Sequence, residues 1–296
     1  MATRTKKSRN TFRHHVAPFA PLVLAAAMNL APSKPATLTT THPTTTAALT
    51  PAMFTPACSA PDFPSNDATD MDETGCSAAG NGGKEAAQNS AKNNFCAVNP
   101  ASPVTIADMV SLQQKVEQDS SINFGNPRTH PFTSAAGPVE KRNKLVSLGE
   151  GDQVVVQGFV LIARQEGSES VNCGTKVPDK PVFHDIHVSL VQHPGDDECT
   201  SIVVEMTPHH RPAEWTAGLV NEVAHAKLPV RVTGQRMFDS SHSPCTNGTG
   251  VPGDPRRASL WEVHPIYNFE VCPKGTCSSG GWVPLELWKP DQVDLP

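Results

Sequence analysis

Residues 182–190 read VFHDIHVSL, so His184, Asp185 and His187 fall within four positions at the head of an apolar alternation. A further acid, Glu205, lies inside the run TSIVVEMT, and His209 and His210 follow it. Imidazole nitrogen and carboxylate oxygen together form a donor set for zinc, nickel or non-haem iron. The H-D-I-H spacing is not the i, i+4 spacing of a helical HExxH motif, so these donors converge only if strand pairing brings them together. A second polar group comes later: Asp239 and His242 in FDSSH, then Glu262 and His264 in WEVHP. No nucleophile accompanies either group, since G-x-S-x-G and S-x-x-K are both absent from the chain.

The elements that must position these residues are strands. Gln153–Gln165 is a long apolar strand with Gly158 at its middle, where the missing Cβ permits a sharp bend. His184–Gln192, Thr200–Thr207, Leu228–Asp239 and Trp261–Cys272 follow the period-two alternation of further strands. Between the third and fourth, Ala213–His225 sets Trp215, Leu219, Val220 and Val223 on one helical face. A hairpin centred near Gly195–Asp196 places His187 opposite Glu205 and Asp185 opposite Thr207. Asp185, His187 and Glu205 then share a face, with His184 turned away. Pro265 removes a ladder donor and marks a bulge or a locally unpaired edge in the last strand.

The order β-β-β-α-β-β with a bent first strand resembles the OB-fold, a five-stranded Greek-key barrel, over roughly Leu148–Cys272. The chain also resembles uncharacterised exported bacterial proteins that carry a D-x-H strand, an acidic third strand, an F-D-x-x-H turn and an E-x-H-P strand. Here these are Asp185/His187, Glu205, Phe238–His242 and Glu262–Pro265. That likeness implies shared architecture and transfers no activity. In such a barrel Asp239, His242, Glu262 and His264 fall at the end opposite Asp185, His187, Glu205 and His209, so we expect two separate groups. The simplest role of the first is a cross-strand pair on a solvated face, with a divalent metal site as the alternative. The second is expected to pin the long 240–260 connection through hydrogen bonds.

Around this barrel (148–274) we expect an export signal at 1–31, a disordered Pro/Thr-rich linker at 32–74, a loop with short helices packing on the barrel at 75–147, and a tail at 275–296. Within the third of these, Thr105–Asp108 resembles a capping box, opening a helix up to Asp119 with Ile106, Met109, Val110 and Val116 near one face. The N-terminus is basic and acid-free, and its apolar stretch Leu22–Met28 is too short to span a bilayer. Eight cysteines without a CxxC pair favour disulfides in an oxidising compartment, hence a secreted or periplasmic protein. The expected bridges are Cys173–Cys272, Cys199–Cys245 and Cys76–Cys96, with Cys58 competing for either partner of the last.

From Gly151 onward 11 Lys and Arg face 18 Asp and Glu, a surface that repels phosphate backbones and makes nucleic acid an unlikely partner. The outward positions of the second and third strands also offer no aromatic stacking platform. We therefore expect a secreted, disulfide-stabilised, non-catalytic binding module, with no cofactor, for a protein, a small molecule or a cell-envelope component. Its alternatives are a metal-dependent hydrolase using Asp185, His187 and Glu205, and an oligonucleotide-binding domain disfavoured by charge.

Overall fold

The computed structural model describes residues 80, 86–95, 97–119, 144–167, 169–172, 184–208, 211–252, 255–277 and 280–290. Five strands close a barrel: β2 (Asp152–Gln165), β3 (Ile186–Val191), β4 (Ile202–Met206), β5 (Pro229–Phe238) and β6 (Trp261–Val271). Their order is β2-β3-β4-β6-β5, and β5 returns to β2. This is the OB-like Greek-key arrangement expected from the sequence, with α3 (Ala217–His225) between the third and fourth barrel strands.

β2 closes the ring because it is long enough to serve two neighbours. Its first half pairs with β5, from Gln153 opposite Gln235 to Phe159 opposite Pro229. Its second half pairs with β3, from Phe159 opposite Val191 to Gln165 opposite Ile186. Gly158 sits at the changeover, where a Cβ would lie 2.7 Å from the Val191 carbonyl oxygen. The inward positions are a period-two set of β-branched and aromatic side chains, including Val154, Val156, Val188, Val204, Val230, Val232 and Phe269. The end of β2 is fixed by Asn221 of α3, whose amide accepts from Ala163 N at 2.8 Å and donates to Ala163 O at 2.9 Å. Val220 and Val223 of the same helix are wholly buried.

The expected bulge at Pro265 is present. The β5–β6 register shifts on both sides of Gly234, and a Cβ on Gly234 would meet the Pro265 carbonyl oxygen at 2.4 Å. Just past the bulge, the Tyr267 hydroxyl donates to Asn94 O at 2.8 Å and accepts from Ala97 N at 3.1 Å, tying the N-terminal segment to the barrel.

That segment holds more than loops and helices. α1 (Ala86–Lys92) is followed by a strand, β1 (Val98–Val104), parallel to β2 with Val98 level with Asp152. Its sequence, VNPASPV, carries two prolines and hides the strand from pattern reading; on an edge those prolines are tolerated. α2 (Ile106–Gln118) opens on the capping box, with Asp108 N donating to Thr105 Oγ1 at 3.0 Å and Thr105 N donating to Asp108 Oδ2 at 2.8 Å. It buries Ile106, Met109, Leu112 and Val116 in the barrel's core cluster. Residues 275–296, expected to be a tail, also supply core: β7 (Val283–Pro284) pairs with β6, and Leu285 and Trp288 are completely buried. No helix among the described residues is long and apolar enough to cross a membrane.

Cys199 is bonded to Cys245 as expected, with Cα atoms 5.5 Å apart. Cys272 is not available to Cys173, because it is bonded to Cys277. The tight turn after β6, with Gly275 at φ +73° and Gly275 N donating to Cys272 O, brings Cys277 back against Cys272. Cys173, Cys58, Cys76 and Cys96 lie outside the described residues. In the chain-entropy model the Cys199–Cys245 bridge, with a separation of 46, contributes about 4 kcal/mol, and the Cys272–Cys277 bridge, with a separation of 5, about 2 kcal/mol. In urea unfolding, paired serine substitutions at Cys199 and Cys245 are expected to cost more stability than those at Cys272 and Cys277.

Candidate functional site

The outer face of the barrel carries the chemistry. His187 stands opposite Glu205, as the hairpin predicts. On its other side β4 runs parallel to β6, with Val204 level with Val263. Both valines belong to the core, so alternation sends Glu205 to the outer face between Glu262 and His264. His264 Nδ1 lies 2.7 Å from Glu205 Oε2 and 3.4 Å from Glu262 Oε1. His187 Nε2 lies 3.2 Å from Glu205 Oε1. Glu205 is thus held between two imidazoles from different strands.

This corrects the expectation of two separate groups. Val204, the middle of five-residue β4, is level with Val263, the third residue of eleven-residue β6, so Glu205 lies beside the head of the long strand. The two polar groups therefore merge around Glu205. Asp239, at the end of β5, joins them: its carboxylate, with Glu205 and Glu262, offers oxygens all within 4.8 Å of one another. His242 completes the rim, its ring centroid 6.0 Å from that of His187 and its Nε2 3.6 Å from Asp239. His184 makes a different contact, its Nδ1 donating to the Glu166 carbonyl at 2.9 Å. His209 lies outside the described residues.

The face is also not solvated. Asp185, Glu205, Asp239, Glu262 and His264 are 0% exposed and His187 is 4% exposed. α1, Asn93, Asn94, Glu166 and Glu169 close over the site, and they bring residues that the sequence reading missed. Lys92 of α1 reaches Asp239 at 2.9 Å and Glu169 at 3.4 Å. Gln88 donates to Asp239 Oδ1 at 3.0 Å and accepts from Ser240 Oγ at 2.6 Å. Asn94 donates to Gln235, which in turn donates to the carbonyls of Ala91 and His264. Arg257, completely buried, pairs with Glu262 at 3.0 Å. In the sequence GKEAAQNSAKNNF these polar side chains look like a solvated loop, because nothing local indicates that their partners lie some 150 residues away.

Burial opposes charge on the titratable groups at the centre, and the neighbours decide each outcome. Burial disfavours the Lys92 ammonium, but Asp239, Glu169 and Glu205 outweigh it and hold its pKa well above the usual value. Burial likewise opposes the imidazolium forms, yet Glu205 and Glu169 raise His187, and Glu205 and Glu262 push His264 up to about 10. Glu205 stays well below the carboxylate range despite burial, because His187 and His264 face it. Glu262 goes the other way: burial, then Glu205 and Asp239, push it up to about 8. Asp185 is raised by burial and then by Glu169.

The second feature is open. Gln157, Pro229, Gly275, Thr276, Cys277 and Trp282 line a cleft of about 530 Å³ beside the Cys272–Cys277 bridge. The Arg231 guanidinium lies 4.8 Å from the centre of the Trp282 ring and is fixed by a two-pronged pair with Glu270 at 2.7 and 2.8 Å.

No protein-family model and no curated protein matches the chain. Among solved structures, a putative aspartyl-tRNA synthetase from Leishmania major Friedlin is similar at 8% identity and a TM-score of 0.24. The match covers 62% of this chain and 23% of that one, a likeness too weak to carry fold or function.

Lys92 provides a test of the network. Against the opposing effect of burial, Lys92 holds Asp239 well below its usual 3.8, and with His187 it holds Glu169 at about 2, from 4.5. Depressed carboxylates contribute stability that is complete above their unfolded values and is lost as the pH falls toward the folded ones. Lys92→Met is expected to cost about 3–5 kcal/mol at neutral pH by stranding buried charge. Urea unfolding is expected to show that cost shrinking as the pH is lowered below about 4, where the stranded carboxylates take up protons.

Proposed function

We propose that the chain is an exported, disulfide-stapled, non-catalytic binding module on an OB-like barrel, which takes its ligand in the Trp282 cleft. The observation that carries this reading is the separation of reactive groups from access. The acids and imidazoles are buried beneath α1, Glu166 and Glu169, whereas the open cleft is lined by side chains without a general acid or base.

Trp282 supplies a flat apolar surface, and Gln157 and Thr276 supply hydrogen-bonding groups beside it. Such a combination suits a small polar ligand with an apolar face, above all a sugar ring of an envelope glycan. Two disulfides favour an oxidising compartment, and the basic, then apolar, N-terminus and the likeness to exported bacterial proteins support the same location. The acidic balance from Gly151 onward argues against an oligonucleotide. A second reading, a metal-dependent hydrolase built on Asp185, His187 and Glu205, is favoured by the proximity of Asp185 and Glu205 to His264.

Titration of the oxidised protein with soluble chitin- and peptidoglycan-derived oligosaccharides, followed by tryptophan fluorescence, is expected to show saturable binding. Trp282→Ala is expected to weaken it on the order of tenfold, the scale of one lost aromatic contact. Absence of binding across that panel, or release of cleaved sugar by the protein, overturns the reading.

A further inference from the structure

In the buried centre Asp185 has a carboxylate without a hydrogen bond. Asp185 is 0% exposed, and neither of its carboxylate oxygens has a hydrogen-bond partner among the described residues. A buried carboxyl normally has hydrogen bonds or an opposite charge to offset its lost hydration. The cations nearby are engaged elsewhere. Lys92 pairs with Asp239 and Glu169, Arg257 with Glu262, and Arg211 donates through one nitrogen to the carbonyls of His184 and Met206. His264 presents a second such atom, since its Nε2 is also buried and lacks a hydrogen-bond partner.

These two residues converge with Glu205. One donor atom from each of Asp185, Glu205 and His264 lies within 4.8 Å of the other two. Donors 2.0–2.2 Å from a single zinc ion can be at most about 4.4 Å apart, so a shift of a few tenths of an ångström would bring the three into coordination range. We propose that Asp185, Glu205 and His264 bind one divalent transition-metal ion, zinc or manganese.

Two carboxylates and one imidazole suit these ions, whereas thiolate-seeking copper(I) would find no sulfur in this set. His187, 3.2 Å from Glu205, orients that carboxylate from the opposite side. The neighbouring triad of Glu205, Asp239 and Glu262 meets the same distance criterion but already has its cations: Lys92 on Asp239 and Arg257 on Glu262. A metal there would have to displace an ammonium and a guanidinium; at the Asp185 triad it displaces only the proton of His264, which then coordinates as neutral imidazole. The site is independent of the Trp282 cleft, and either can fail without the other.

The test uses untagged, oxidised protein, stripped with a chelator and then exposed to zinc or manganese alone. Elemental analysis after dialysis is expected to give one ion per chain, and the metal is expected to raise Tm by several degrees. Asp185→Asn removes the unpartnered carboxylate without changing side-chain shape. Its metal-free Tm is expected to match or exceed that of the stripped wild type, with metal affinity at least tenfold weaker and no metal-induced shift. His264→Asn, measured by the same elemental analysis, provides a second ligand variant, and His193→Gln, at an exposed position outside the triad, is expected to retain the ion. Absence of a stoichiometric ion and of a Tm shift with both metals in the wild type overturns the proposal. So does retention of full affinity in both Asp185→Asn and His264→Asn.

Discussion

The parallel contact between β4 and β6 is the constraint on which the remaining structure depends. A barrel of five strands must join one pair in parallel if its third and fifth strands are to meet, and here that contact is Val204 against Val263. It is short because β4 is short. Its consequence is chemical: Glu205 faces His187 across an antiparallel ladder and His264 across the parallel one. A carboxylate so placed stabilises two protonated imidazoles at once, and they in turn keep it ionised where burial alone would neutralise it.

Once a sheet face carries that much charge, it must be either left in water or covered by polar chain. The protein covers it. α1 and the chain after it present Gln88, Asn89, Lys92, Asn93 and Asn94 as buried side chains, a composition that would be expensive against an apolar face. Here these groups meet carboxylates, carbonyls and a glutamine, so the interface is specific in a way an apolar one is not. Lys92 fits only where Asp239 and Glu169 converge, and Tyr267 fixes the chain just beyond at Asn94 and Ala97. A buried network of this kind contributes less net stability than a hydrophobic patch of equal area, but a misplaced partner costs more. It therefore sets the position of the N-terminal segment more sharply than its affinity.

The barrel was legible in the sequence because its signals are local. Period-two alternation located all five strands to within two residues at each end, Gly158 marked the bend and Pro265 the bulge. Thr105 and Asp108 likewise identified the start of α2. The site was legible only as far as neighbouring strands could be threaded, which gave the His187–Glu205 pair. Its remainder depends on strand register and on a distant segment, neither of which has a local signature. Barrel topology alone put Asp239 and His264 at the other end; the parallel register of Val204 with Val263, which has no local signature, brings them to Glu205. β1 escaped notice because two prolines obscure its pattern, and Cys277 because a turn after β6, rather than a loop between strands, presents the partner of Cys272.

The sealed centre and the open cleft make opposite use of burial. In the cleft, Arg231 is held by Glu270 and lies over Trp282, so one face of the indole is already engaged and the ring is preorganised without being enclosed. Preorganisation of that kind lowers the ordering cost of a ligand and leaves access intact. In the centre, enclosure strengthens every interaction among Glu205, His187 and His264 but excludes any ligand larger than an ion or a water molecule. Asp185 is enclosed there without a hydrogen bond among the described residues. The other charged members of the centre are matched by a neighbouring charge, whereas Asp185 has burial without a hydrogen bond. A fold that neutralises its buried charges in pairs leaves the remaining carboxylate as the place where a charge from outside fits.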